Sequence, residues 1–317
     1  MKNIKALSPY IYPNQLNFKD KAFNAWRKQF PNAVVEGWYS KLLRGILFRR
    51  DIFPTFCQVG EARLIFVQPV SLYFDAGISV LTHEVVPFIW DCWPCFYDMM
   101  EKWLIRHKVK TAIFTSRQEM EAMKQRCPHV DMIWCPEGID TSRYTEGKPL
   151  TERPIDLLEF GRSNEKIISS EAFEDINHIT TKVGDSFIYN DEQLYGAMGD
   201  AKVAICLPRS VTHPKEAGGI ETLTQRYWEC MLSRIVMVGH APKELIDLIG
   251  YNPCLEIDYD NVTGQIFDII DNIGDYQNMV IRNRDVALEF GDWKNRMHLV
   301  MFFLESKRYK LSFTYRK

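Results

Sequence analysis

Two glutamates, Glu221 and Glu229, bracket seven residues in the stretch "GIETLTQRYWEC" (219–230), with Gly218 and Gly219 just ahead of them. Acids placed this way have two common uses. Most glutamates on helices face water. The alternative is that both point into a cleft and accept hydrogen bonds from a ligand's hydroxyl groups. A helix starting near Glu221 would turn through about 800° by Glu229, putting the second acid roughly 80° around and ~12 Å along the axis. Those are the dimensions of a nucleotide-sugar, with one acid near the sugar and one near the ribose. The loop feeding that helix start would present backbone N–H groups as an anion site, aided by the helix dipole. Gly218, Gly219 and Leu223 belong to that approach, and Thr222 and Thr224 add hydroxyl donors.

A second group stands in "EFGRSNEK". Gly161 allows a sharp turn after an apolar run, and Arg162 and Lys166 could then overhang a pyrophosphate; the bland alternative is two exposed surface charges. Asp91 closes another apolar run, in "VVPFIWDCWPC". The adjacent Cys92 and Cys95 mimic a redox C-x-x-C. The motif lies too deep in the chain and lacks a following strand hairpin, so these read as coincidental thiols. Neither a P-loop nor a G-x-G-x-x-G fingerprint is present in the sequence.

The elements that must position these residues alternate almost from end to end. Apolar strand-like runs fall at 5–11, 33–38, 63–69, 85–90, 111–116 and 130–136, then at 155–161, 178–183, 202–208, 234–239 and 254–258. Amphipathic segments at 97–107, 117–126, 191–201, 221–232 and 242–249 read as helices, and from 261 onward the pattern is wholly helical. Strand, helix, strand implies parallel pairing and doubly wound sheets. The polar stretch 140–154 reads as a linker, dividing the chain into 1–150 and 151–291. Ligands bind such sheets outside the carboxyl ends of the strands, so a cleft between two sheets is expected to hold the site.

Composition narrows the function classes. A length of 317 residues with 46% hydrophobic content suits two domains, and a net charge of −2 offers no general field for nucleic acid. The eight cysteines are scattered, and no secretory leader or membrane span is visible, which points to the cytoplasm.

Taken in order, "EFGRSNEK", "GDAKVAICLP", "ETLTQRYWE" and "CMLSRIVMVGHAPKELI" resemble the donor-binding region of retaining GT-B glycosyltransferases, family 4 and its relatives. "TAIFTSRQEMEAM" and "WCPEGIDTSRY" resemble the end of that family's first domain, and the match covers about residues 85–300. The resemblance implies an α/β GT-B fold: two Rossmann-like domains, the first on the acceptor side and the second binding a nucleoside-diphosphate sugar. It implies sugar transfer with retention, without a bound metal or other cofactor, in glycan or polysaccharide synthesis. Gly161, Arg162, Lys166, Gly218, Gly219, Glu221, Thr222, Leu223 and Glu229 would hold the donor. Glu221, Asp91, Arg162 and Lys166 would serve the transfer. Two departures stand out: the family's Gly-Gly loop after the first strand is missing, and Trp90 replaces the histidine that precedes the acid at Asp91. A GT-B-like subunit that binds a nucleotide or sugar without turnover is the alternative.

Two further expectations concern the ends of the first domain. The helix within 292–317 would cross back onto it, as in the family. The stretch 36–51 carries Leu42, Leu43, Ile46 and Leu47 flanked by Lys41, Arg44, Arg49 and Arg50, with Trp38 nearby. It reads either as a core helix with solvated ends or as a peripheral contact with the inner membrane surface, suiting a lipid-linked rather than a free sugar acceptor.

Overall fold

A computed structural model describes residues 1–10, 18–37, 55–56, 59–161, 170–180 and 191–311. The chain divides into two compact units, one formed by Met1–Glu137 with Trp293–Lys317, the other by Gly138–Asp292.

The first unit is built on a parallel sheet with seven strands among the described residues. They are β1 (Lys2–Leu7), β2 (Val34–Val35), β3 (Glu61–Val67), β4 (Glu84–Ile89), β5 (Thr111–Phe114), β6 (Asp131–Trp134) and, from the second unit's far side in sequence, β12 (Tyr309–Leu311). The order is β12-β1-β3-β4-β5-β6, with β2 pairing on β1 beyond the short β12 ladder. Period-two alternation gives the sheet two apolar faces. Ile4, Leu64, Phe66, Val86 and Phe88 pack with Trp26 of the helix Phe18–Gln29 and with Trp293, Met297, Val300 and Leu304 of the helix Trp293–Ser306. Ile65, Val67, Val85 and Ile89 face the other way, onto Met100, Trp103 and Leu104 of the helix Tyr97–Arg106. Met297 and Val300 are fully buried there, each contributing about 1.5–3 kcal/mol by the usual area scale.

The second unit carries β7 (Ile155–Glu159), β8 (His178–Thr180), β9 (Ala201–Cys206), β10 (Val236–Gly239) and β11 (Leu255–Glu256), all parallel, in the order β11-β10-β9-β7-β8. Leu158, Ala204, Cys206 and Met237 face the helix Gln225–Leu232, whose Tyr227, Trp228 and Met231 are buried. Leu157, Val203, Ile205 and Val238 face the helix Val262–Asp271 through Ile266 and Ile269. Strand order reverses between β7 and β9, so the ligand crevice of such a sheet lies outside their carboxyl ends.

Three elements differ from the sequence reading. The chain passes between units at Glu137–Gly138, whereas the sequence places the division at 150–151. The polar stretch that resembles a linker is fastened to the second unit: Tyr144 and Leu150 are buried, and the Arg153 guanidinium donates to the carbonyls of Lys148, Glu146 and Ala201 at 2.8, 2.8 and 2.7 Å. The chain after 261 is not wholly helical, because Tyr309–Leu311 adds β12 to the edge of β1. Third, the helix expected from 221 begins at Gln225.

Close approach of β9 and β10 makes Gly239 a sensitive position. A Cβ there would run into the Cys206 carbonyl oxygen of the paired strand. Gly239→Ala is expected to cost about 2 kcal/mol, in the range for overpacking, readable as a lowered thermal midpoint. An unchanged midpoint would mean that the two strands separate easily.

Candidate functional site

The second sheet's carboxyl edge is assembled from three consecutive strand ends. After β9 comes a polar loop containing the short helix Pro214–Ala217, which Gly218 and Gly219 terminate with φ of 56° and 83°. Both glycines sit in the left-handed region, where a side chain would be strained. Residues 220–224 then run non-helically to Thr224, the N-cap, whose φ and ψ are −103° and 163°.

The cause lies in another element. Glu244, only 4% exposed in the helix Lys243–Ile249, accepts the backbone N–H of Leu223. Leu223 itself is buried. That long-range bond and the glycine turn hold 220–224 as a strap ahead of the helix. Glu221 and Glu229 therefore do not share a helix, and the axial separation expected from the sequence does not apply.

Glu221 sits on the strap, where its Oε2 faces His240 Nε2 at 3.3 Å. His240 follows β10 directly, and its Nδ1 faces Glu256 Oε2 on β11 at 3.2 Å. Burial pulls the imidazolium down, but the hydrogen bond to Glu256 and the charge of Glu221 outweigh it, so the His240 pKa lies above the ordinary histidine value. The buried Tyr227 donates its hydroxyl to the His240 carbonyl at 2.7 Å, fixing this turn to the helix Gln225–Leu232.

Glu229 lies within that helix, and its Oε1 accepts the Tyr144 hydroxyl at 3.1 Å. Burial first, and then the Glu229 charge, push the Tyr144 phenol far up, so it remains a donor. Thr222 is half-buried on the strap, and Thr224 makes no side-chain cap bond. Gly161 stands two residues after β7 with φ 71°, and the Arg226 guanidinium lies against it, 5.4 Å from the centroid of the Phe160 ring. Arg162 and Lys166 lie outside the described residues, as does nearly all of the stretch 36–51.

Asp91 belongs to the first unit and follows β4 through the buried Trp90. Its φ of 53° is unusual for a residue with a side chain. Gln68, just after β3, donates its Nε2 to Asp91 Oδ2 at 2.7 Å, and gives its backbone N–H to Asp75 Oδ2 at 3.1 Å. Asp75 also accepts Ser71 Oγ and Lys19 Nζ, each at 2.6 Å. Burial raises the Asp75 pKa and lowers that of Lys19, the expected sign for charges taken out of water. The neighbouring Cys92 is buried and its thiol is pushed well up, first by burial and then by the Glu119 charge, the opposite of a reactive thiolate.

His240, Glu256, Glu244, Gln68 and the Lys19–Asp75 pair are absent from the sequence-derived site. Only His240 had a usable signal there, being polar and placed directly after an apolar run, where strand ends meet ligands.

Compared by sequence, the chain matches no protein-family model and no curated protein. Compared by structure, it is similar to Anabaena HepE in complex with UDP-glucose, at TM-score 0.64 and 11% identity, covering 96% of this chain and 100% of that one. It is also similar to a glycosyltransferase from Rickettsia africae, at TM-score 0.54 and 10% identity, covering 96% and 98% of the two chains. Sucrose-phosphate synthase from Thermosynechococcus elongatus follows at 0.51 and 14%, covering 94% and 80%. Two α/β units with parallel sheets, matched along nearly the whole chain, give this protein the GT-B glycosyltransferase fold.

Proposed function

We propose that the chain is a retaining, metal-independent glycosyltransferase that moves a sugar from a nucleoside-diphosphate donor to a hydroxyl of a sugar or lipid-linked acceptor in glycan or polysaccharide synthesis. The observation that carries this reading is Glu221 on its strap in the connection that leaves the carboxyl end of β9, facing His240 at the end of β10. The fold shared with HepE, whose structure holds UDP-glucose, supports it.

In the proposed step the bond from the sugar's anomeric carbon to the diphosphate oxygen breaks, and the acceptor oxygen attacks from the same face. The acceptor's proton passes to the departing diphosphate, so no nucleophile on the protein is required. Arg162 and Lys166 stabilise the diphosphate charge, together with N–H groups at the start of the helix Gln225–Leu232. Glu221 holds hydroxyls of the transferred sugar and Glu229 those of the ribose. Asp91, held by Gln68, serves the sugar or acceptor from the first unit.

The test is turnover of a panel of nucleotide-sugars with and without EDTA, with the anomeric configuration of product read by NMR. Transfer with retention that survives chelation is expected. Binding without transfer would favour a non-catalytic subunit, inversion would overturn the stereochemical assignment, and loss with EDTA would overturn the metal-free one.

Glu229 makes contacts that serve ground and transition states alike, so Glu229→Ala should mainly raise the donor KM, by roughly tenfold for one charged hydrogen bond. The same substitution removes the acceptor of the Tyr144 hydroxyl. Tyr144→Phe, which deletes the donor and leaves the acid, separates the two effects. A KM raised as much by Tyr144→Phe as by Glu229→Ala would point to a packing role and not to ribose binding.

A further inference from the structure

A second concentration of charge stands at the opposite edge of the first sheet from Asp91. β1, β4, β5, β6 and β12 begin there, with Lys2, Glu84, Thr111, Asp131 and Tyr309 as their first residues. Lys307 and Arg308 join the helix Trp293–Ser306 to β12, and the Arg308 carbonyl accepts the Lys2 N–H at 2.9 Å. These residues line an open cavity of about 510 Å³. That volume falls within the ~300–1,000 Å³ of small-molecule sites. Glu84 opens β4 and lies roughly 17 Å along the strand from Ile89 at its other end, beyond which Asp91 stands.

One buried carboxylate organises the cavity. Glu84, 6% exposed, accepts the Tyr309 hydroxyl on Oε1 at 2.6 Å, and Lys2 Nζ and Lys110 Nζ on Oε2 at 2.9 and 3.4 Å. Burial pushes its pKa up, but the hydrogen bonds from Tyr309 and Lys2 and the two lysine charges outweigh that, so it lies below the ordinary glutamate value. Glu84 therefore stays charged and gathers two ammonium groups at one oxygen. Each ammonium has three N–H donors and spends one on Glu84, which leaves donors for a ligand.

Two more cations complete the wall. Lys307 pairs with Asp131 at 2.8 Å, between side chains 32% and 56% exposed. A surface pair of that kind is weak and yields to a better anion. The exposed Arg308 guanidinium has no partner among the described residues. Four cations against two carboxylates leave a local surplus of two positive charges, on a chain whose net charge is −2.

We propose that this cavity binds a small phosphate monoester, at a site distinct from the sheet edge that carries Asp91. Such a group carries about −1.5 to −2 at pH 7, which matches the surplus. Its terminal oxygens accept from the lysines and from the two-pronged guanidinium of Arg308. The organic part then meets Ser306 and Asp131, whose hydroxyl and carboxylate suit alcohol groups. The site stands whether or not the chain transfers sugar.

The experiment is calorimetric titration of the full chain with glycerol 3-phosphate, inorganic phosphate and uncharged glycerol, at constant ionic strength. Glycerol 3-phosphate should bind, more tightly than inorganic phosphate, and glycerol should give no heat of binding. Arg308→Asn combined with Lys110→Gln removes the surplus at two exposed positions, and asparagine tolerates the left-handed φ of 68° at 308. That double variant should weaken binding by at least about tenfold, the scale of one charge-assisted hydrogen bond. Arg162→Ala, in the loop proposed for the donor diphosphate, should leave this binding unchanged. Three results would each overturn the site: no binding of glycerol 3-phosphate, inorganic phosphate binding as tightly as the ester, or binding that survives in the double variant and is lost in Arg162→Ala. None of them bears on sugar transfer, which the donor panel tests separately.

Discussion

Glu221→Ala is expected to lower kcat for sugar transfer by roughly ten- to a hundredfold, the loss of one charged hydrogen bond worth ~1.5–3 kcal/mol in the transition state. The position makes the effect kinetic, not structural. Glu221 sits on a non-helical strap whose shape is held elsewhere, by the Leu223 N–H bond to Glu244 and by the left-handed turn at Gly218 and Gly219. Removing its side chain should leave that strap in place. Contacts to the transferred sugar can strengthen as the ring flattens towards an oxocarbenium-like state, so the loss should fall on kcat and not on donor KM alone. Glu221→Gln keeps the shape and one acceptor oxygen while removing the charge, and should fall between wild type and alanine. Initial rates over donor concentration, with circular dichroism to confirm folding, decide the matter. If a folded Glu221→Ala variant keeps wild-type kcat, the strap does not hold the reacting sugar.

The largest stability effect is expected at Asp75→Ala, about 3–5 kcal/mol, the usual cost of breaking a buried ion pair from one side. Asp75 and Lys19 are 2% and 5% exposed, so the remaining Lys19 ammonium would have no water to turn to. The carboxylate also holds Ser71 Oγ and the Gln68 N–H, which would lose their acceptor. Lys19→Met combined with Asp75→Leu removes both charges and should recover part of the loss, because the pair's own desolvation disappears with it. Denaturant unfolding of the two single variants and the double variant gives the coupling. Equal destabilisation by the single and double variants would show that the hydrogen bonds to Ser71 and Gln68 dominate, and not the ion pair. Gln68 links this pair to Asp91, so Asp75→Ala should also loosen Asp91.

The parallel strands were legible in the sequence because their signals are local. Apolar runs near 85–90, 111–116 and 202–208 lie within two residues of β4, β5 and β9 at each end, and 117–126 coincides with the helix Arg117–Arg126. Runs buried on both faces read as strands whatever they pack against. From that alternation the doubly wound sheets followed, and with them the expectation that chemistry gathers at strand ends, where Gly161, Asp91 and the loop before Gln225 all stand.

What the tertiary structure alone decided were the places where distant residues compete for a backbone group or a charge. Residues 221–224 have a helical pattern, but Leu223 gives its N–H to Glu244 and the helix waits until Gln225. The stretch 140–154 is polar enough for a linker, yet Tyr144 and Leu150 are buried in the second unit's core and Arg153 bonds the Ala201 carbonyl while folding the stretch on its own Glu146 and Lys148 carbonyls. Tyr309–Leu311 is too short to announce a strand and becomes one by pairing with Lys2–Ile4 at the other end of the chain. His240 meets Glu256 because β10 and β11 run parallel in register, with Gly239 opposite Glu256, and it meets Glu221 across the strap that Glu244 holds through Leu223. Periodicity reports which face of an element is buried, but register sets which side chains meet at its end, and register is a property of the assembled sheet.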